Sequence, residues 1–493
     1  MEVEESYPEQ FLEIPREDGQ ESVDFRRTKL CLKVSLVAFL LSGFIFLLTG
    51  EKTYAVVFLS IVVTILSLLH TPFAFMVLYF TPVLEEWYRF SKMFAVGKAI
   101  GIVVVLSYLL TRFRRQLQFP TPVKLMIFFW VWAAVSSIWS VAPLVSAARA
   151  LTLLLYTGLM IIFVNTIKDM KTLRMIAWSL FAGNAMVAIL IAMGKGVQDV
   201  GLRTAEGLIE AAQAEYGRVA FASEGIDSNC IGLLIVFSFL IGFYFVLGAG
   251  ILKKVVLGFI GALFLYVIIR TESRASMACL FLVPVFTFVF ASGRGVRTKT
   301  ILWIILICAI SGGLLYVAMN TYILPEMSKE RLRTTAEDVT LHGRVIIWKG
   351  AVELFLLRPI HGWGLQTFPL LESGLGTGRS AHNDILLIAT ELGIIGLAPW
   401  IAIFLILFNH ALRLPDYGLR CLFLGTLFWI FFAGISVTSI YLRTFWYAWS
   451  LVMSGVFLAE NAQELKTSGF TQADRQEQNL SMEDIHTYAD CNP

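Results

Sequence analysis

The sequence predicts an all-α fold: a polytopic transmembrane helical bundle of about 12 to 14 spans, with a small helical loop domain on one face. Three observations predict it. Of the 493 residues, 57% are hydrophobic and 15% charged, and the mean hydropathy of +0.74 lies above that of soluble globular chains. Apolar runs of about 17 to 22 residues recur along the chain, the length a helix needs to cross roughly 30 Å of hydrocarbon. The runs are continuously apolar rather than alternating, which selects helices over a barrel.

In chain order, residues 1–29 form a polar N-terminal tail that is mostly acidic. Its start, "MEVEESYPEQFLEIPREDGQES", has no basic n-region and no small-residue cleavage site, so no removable signal peptide is expected and the first span serves as insertion signal. The N-terminal region, 30–193, holds runs at 30–48, 53–70, 72–86, 95–111, 123–141, 147–166 and 173–193. The turn "HTP" from His70 to Pro72 is very short and Pro82 cuts the third run, so a re-entrant pair is the alternative there. A polar loop follows at 194–228, then central spans within 229–319 at 229–249, 254–270, 275–292 and 298–319. The largest loop, 320–384, precedes the C-terminal spans within 385–459, at 385–409, 418–438 and 442–459. The tail 460–493 is polar and expected to be disordered.

Every second connection is basic: "RRTK" at 26–29, "RFRR" at 112–115, "KDMKTLR" at 168–174, "KK" at 253–254, "GRGVRTK" at 293–299 and "HALRLPDYGLR" at 410–420. Short loops rich in Lys and Arg stay in the cytoplasm, so these loops and both tails are assigned there. The two long loops then share the outer face, and loops of that length usually carry function.

Several chemistries lose support. The six cysteines are scattered without C-x-x-C or His/Cys spacing, against both a disulfide framework and a metal site. A dispersed net charge of +3 does not suggest nucleic acid as a partner. No D-x-D pair lies on the outer face, and H-E-x-x-H and G-x-S-x-G are missing, which argues against metal-dependent glycosyl transfer, zinc proteolysis and serine hydrolysis. No nucleotide motif marks the cytoplasmic loops of an energy-coupled pump, and no cofactor is implied.

What the outer face does carry is histidine and arginine. Three of the six histidines, His342, His361 and His382, lie in the second long loop. Imidazole takes up a proton near ambient pH, as activation of a hydroxyl requires, but an interfacial histidine can equally bond backbone at a helix start. For His382, at the entrance to a span, the two readings balance; for His342 and His361 the structural one is favoured. Outer-face arginines run against the positive-inside bias unless something anionic holds them. Arg218 precedes a span, Arg274 sits in "TESRAS" between two spans, and Arg344 opens "GRVIIWKGAVELFLLRP". Their planar forks suit phosphate or pyrophosphate. Arg358 and Arg379 are assigned instead to lipid headgroups.

From Gly343 to Leu357 an amphipathic helix is expected, with Arg344, Trp348, Ala351 and Phe355 on one stripe and Pro359 as its stop. Arg344 then stands in the first turn, where the helix dipole also favours an anion. Gly362 and Gly364 flank Trp363 in a sharp turn that lacks the pattern of a phosphate loop.

Taken together, "GRVIIWKGAVELFLLRPIHGWGLQTF" and "AHNDILLIATELGIIGL" resemble the signature region of the O-antigen ligase and Wzy-type polymerase superfamily, which includes ExoQ-like polymerases. The matching residues are Arg344, Trp348, Pro359, Gly362, Gly364, His382, Asn383, Glu391, Gly393 and Gly396. "SIWSVAPLVSAAR", from Ser137 to Arg149, and "RTESRAS" are similar to earlier family landmarks, so the likeness covers roughly 123 to 400.

The resemblance implies a metal-independent, inverting glycosyltransferase of the bacterial cytoplasmic membrane, with 320–384 as its catalytic periplasmic loop. Its donor is a glycan on undecaprenyl pyrophosphate, and its acceptor is lipid A-core for a ligase or a lipid-linked glycan for a polymerase. Catalytic roles carry over to His382, Arg344 and Arg274, and substrate-binding roles to Arg218, Asn383, Trp348, Gly362 and Gly364. Two departures bear on the acceptor. The spacing from Arg344 to His382 is short, and Asp384 follows His-Asn where an aromatic residue is expected. The competing functions are a transporter or flippase for a lipid-linked or anionic solute, which mid-span charges would favour, and a structural subunit whose loop docks a partner.

Overall fold

In the computed structural model the described residues are 22–81, 96–112, 117–193, 228–247, 249–271, 273–292, 313, 320, 344–373 and 380–461. Residues 194–227 of the expected loop, nearly all of the span at 298–319, residues 321–343 and 374–379 of the large loop, and the tails at 1–21 and 462–493, with Arg218, His342 and Arg379, lie outside the described residues.

The described chain is helix throughout its regular structure, and ten of its helices are long and apolar enough to cross a membrane. It is an all-α, multi-pass membrane protein. The elements are α1 (Val23–Thr49), α2 (Lys52–Leu69), α3 (Thr71–Phe80), α4 (Val96–Arg112), α5 (Thr121–Val135), α6 (Pro143–Thr166), α7 (Met170–Ala192), α8 (Ser228–Leu247), α9 (Ile251–Arg270) and α10 (Arg274–Ala291). They continue with α11 (Arg344–Leu357), α12 (Phe368–Ser373), α13 (Asp384–Arg413), α14 (Tyr417–Gly434) and α15, residues 443–461.

Local chemistry sets the ends. Ser22, Asp169, Ser273, Asn383 and Asp416 each accept a backbone N–H from the first turn of the helix they precede, satisfying a donor with no partner inside the helix. Because of the Ser22 cap, α1 starts ahead of the expected boundary at 30, and the basic stretch "RRTK" is helical. Of the apolar run expected at 72–86, the described part forms α3, a ten-residue helix that ends at Phe80, and 82–86 lie outside the described residues. That helix is about 15 Å long, half of a hydrocarbon core. The run at 123–141 ends as α-helix at Val135 and tightens into one 3₁₀ turn, Ser136–Ile138.

The exterior of α1 and α2 is a wall of leucine, valine and phenylalanine, including Leu36, Phe39, Leu40, Leu47 and Ile61. In water such a surface would be costly, whereas lipid solvates it. The interior is aromatic: Trp429, Trp446 and Trp449 are buried, and the indoles of Trp429 and Trp446 donate to the carbonyls of Leu233 (2.8 Å) and Ile440 (2.9 Å). Buried donors left unpaired would cost more than the aromatic packing returns.

Two ends of the bundle are chemically distinct. At one, Arg112 pairs with Asp24 at 2.6 Å, Ser22 bonds Asp169, Arg420 donates to the carbonyl of Ala291 at 2.9 Å, and His410 meets Glu460. The basic stretches at 26–29, 168–174 and 410–420 belong to this end. α8 and α14 run antiparallel, since Trp429 reaches Leu233 while Tyr244 packs beside Gly418. Gly434 is therefore level with the start of α8 at the opposite end, where the candidate site lies.

Candidate active site

The site is built around one broken helix. α13 runs for 30 residues, but Gly393 leaves helical geometry with φ of 65°. The freed N–H groups beyond the break do not go unpaired: Ile394 and Ile395 donate to the carbonyls of Pro359 (2.8 Å) and Ile360 (3.3 Å). In return Trp363 and Gly364 donate to the carbonyls of Thr390 (3.1 Å) and Glu391 (2.8 Å). The Pro-x-x-Gly-x-Gly turn thus sits in the break and completes its hydrogen bonding, which is what permits a kink inside a membrane.

Glycine is required at three points of this joint. A Cβ at Gly393 would overlap the carbonyl of Ile360, one at Gly362 would lie 2.6 Å from the nitrogen of Leu392, and one at Gly364 would lie 2.5 Å from the Cβ of Ser140. Gly362 and Gly364 also have φ of 70° and 104°. The close approach these two glycines allow is to the protein's own backbone and to the stretch at 137–149. That earlier landmark and the helix end before it meet this region directly: Ser146 donates to the carbonyl of Leu365 at 2.6 Å, the N–H of Leu365 bonds Ser136 at 3.1 Å, and the indole of Trp132 donates to the carbonyl of Leu392.

Arg344 opens α11, as expected. The buried face of that helix is Ile347, Gly350 and Ala351, so the stripe is centred on Ile347 rather than Trp348; Phe355 is only half-buried. Trp348 instead reaches sideways, and its indole donates to the carbonyl of Ala381 at 3.0 Å. This bond joins the first turns of α11 to the residue before His382. His382 itself adopts a left-handed conformation, φ 47°, uncommon for a residue with a Cβ. Asn383 caps α13 through its side chain, accepting from Leu386 at 3.2 Å.

Arg274 follows the capping Ser273, whose hydroxyl bonds Asn229 at 2.7 Å near the start of α8. That is the end of the bundle reached by Gly434, and Gly434 lies against Asp384, with a Cβ there 3.1 Å from the carboxylate. Arg274, Arg344, Trp348, His382 and Asn383 therefore share one end of the molecule, on the first turns of α10 and α11 and in the loop that leads into α13. His361 packs edge-on against Trp139, and Arg358 lies 4.0 Å above the ring of Trp363.

Two carboxylates that had no assigned role are buried here. Asp384 accepts from the backbone of Ser439 at 2.8 Å and of Ile440 at 3.3 Å, and from the Ser439 hydroxyl. Glu391 accepts from Gln366 (2.8 Å), Phe368 (3.2 Å) and the phenol of Tyr441 (2.6 Å). Burial, with the carboxylate beside it, pushes the Tyr441 hydroxyl well above its ordinary range, so it remains a donor. Arg149 stacks over the Tyr441 ring at 4.4 Å. The signal available in the sequence was the cost of placing an acid in an apolar run, which demands several donors from elsewhere in the fold.

Among the described residues no group of three His, Cys, Asp or Glu is placed to hold a metal ion. Residues 257–401 match the family model of the O-antigen ligases. That stretch is similar to an O-antigen ligase domain of the Wzy type. That segment contains Arg274, Arg344 and His382 together with the joint at Gly393. Among curated proteins, none matches the chain at a significant level. The O-antigen ligase domain supports a general role in glycan ligation or polymerisation, and the enzyme class that goes with it is a membrane glycosyltransferase acting on lipid-linked glycans.

Proposed function

We propose that the protein transfers a glycan from undecaprenyl pyrophosphate to an acceptor hydroxyl with inversion at the anomeric carbon, on the periplasmic face of the bacterial cytoplasmic membrane. In this reaction the acceptor oxygen attacks the anomeric carbon from the side opposite the pyrophosphate. The new C–O bond forms as the bond to the phosphate oxygen breaks. His382 takes the acceptor's proton, and undecaprenyl pyrophosphate departs with the bonding electron pair.

Arg274 and Arg344 meet the charge that grows on the leaving group, so charge stabilisation needs no metal in this scheme. Arg218 is proposed as a further contact to the donor, and Asn383, Trp348, Gly362 and Gly364 as the frame of the binding site. Lipid A-core and a second lipid-linked glycan are the two acceptors, for a ligase and a polymerase. Among the regions of the chain, the loop 320–384 is proposed as catalytic.

The observation that carries this reading is the convergence of Arg274, Arg344 and His382 at one end of the bundle within the matched domain. His382→Ala in membranes given a lipid-linked glycan donor is expected to bind donor and lose transfer; full transfer would remove His382 as base. A cysteine in place of Thr377 is expected to label from outside the cell, and labelling only from the cytoplasm would reverse the orientation.

A further inference from the structure

Among the described residues, the two on either side of His382 are all hydrogen-bonded, and the outermost of them, Ser380 and Asp384, are both tied to the stretch at 438–440. Ser380 bonds the hydroxyl of Thr438, Ala381 receives Trp348, Asn383 caps its own helix, and Asp384 takes the backbone and hydroxyl of Ser439 and the backbone of Ile440. Two turns further along α13, Glu391 takes the phenol of Tyr441. Residues 435–442, the link between α14 and α15, thus form a strap across the start of α13, held by two carboxylates on one helix face.

We propose that Asp384 is a positioning residue for His382, and that it works by clasping this strap. The proposal rests on the role given to His382 above. A left-handed residue between two anchored neighbours has little freedom left, so its ring direction follows from where the anchors are fixed. Asp384 supplies the C-terminal anchor through three donors, all from the strap. With three donors on its two oxygens, Asp384 makes more bonds than any other residue of the segment 380–384. The carboxyl group is almost fully buried at 3% exposure and both its oxygens accept from the strap, so it is built to hold protein rather than substrate. An asparagine at the same place keeps one acceptor oxygen but turns an amide donor toward the donors of Ser439 or Ile440.

The test measures kcat and donor KM separately for Asp384→Asn and for Ser439→Ala, which deletes only the hydroxyl bond. Asp384→Asn is expected to lower kcat about tenfold or more, with donor KM changed less than about twofold, and Ser439→Ala to give a smaller loss of the same kind. If Asp384→Asn does not accumulate in membranes, Ser439→Ala decides alone. Unchanged kcat in the accumulating variants, or a loss confined to donor KM, overturns the proposal. His382→Ala is run beside them: if it keeps full transfer, the base assignment itself fails, whereas a dead His382→Ala with unimpaired strap variants overturns only the role of Asp384.

Discussion

Trp348 donates its indole N–H to the carbonyl oxygen of Ala381 at 3.0 Å, a bond spanning 33 residues of sequence. It makes the helix that starts at Arg344 and the loop that presents His382 a single piece. Trp348→Phe keeps the aromatic bulk and deletes only the donor. The expected cost is about 1 kcal/mol of stability, from the melting temperature of the solubilised protein, with a larger proportional loss in transfer rate.

Gly393 permits no side chain. Its φ of 65° and its contact with the carbonyl of Ile360 act together, so Gly393→Ala is expected to destabilise by more than about 2 kcal/mol. Gly43, in α1, has open space around it, and Gly43→Ala is expected to be neutral or stabilising by up to about 1 kcal/mol. Thermal unfolding of the two variants in the same detergent checks the contrast; equal effects would show that the joint at Gly393 does not constrain the fold.

Removing Glu391 leaves the N–H groups of Gln366 and Phe368 and the phenol of Tyr441 without their acceptor. Each buried donor left so costs about 1 to 3 kcal/mol, so Glu391→Ala is expected to prevent accumulation of folded protein. Tyr441→Phe removes one donor and leaves the other two bonds, for a loss near 1 kcal/mol. Membrane abundance and melting temperature should rank wild type, Tyr441→Phe and Glu391→Ala in that order.

Under the proposed chemistry, Arg274→Ala and Arg344→Ala each remove one source of positive charge from the departing pyrophosphate. The loss in kcat is expected to be about 10²- to 10³-fold, by analogy with deleting one oxyanion donor. Lysine keeps the charge but not the planar fork, so Arg344→Lys is expected to recover only part of the rate. Transfer assays at saturating donor measure this, and full activity in Arg344→Lys would point to a bulk electrostatic role.

Much of the bundle was legible because membrane insertion imposes a simple rule on composition. Long apolar runs and basic connections locate α2, α6, α7 and α10 within a few residues, and α1 by its C-terminal end. Where the rule says least, at α3 and after Val135, prolines and tight turns set the outcome. The stretch from Arg344 to Glu391 was legible as a motif, because its parts lie close in sequence. The strap at 435–442 was not: Asp384 and Ser439 are 55 residues apart, and Ser136 meets Leu365 across 229. Such contacts leave no periodicity, only the unexplained presence of an acid among leucines.

The interruption of α13 has a mechanical consequence. Its first two turns are fastened to the turn at 359–364, to the strap and to Trp132, while the helix beyond Ile395 makes no such bonds among the described residues. Adjustments of that length to a thicker or thinner bilayer are taken up below the joint, and the imidazole keeps its seat above it.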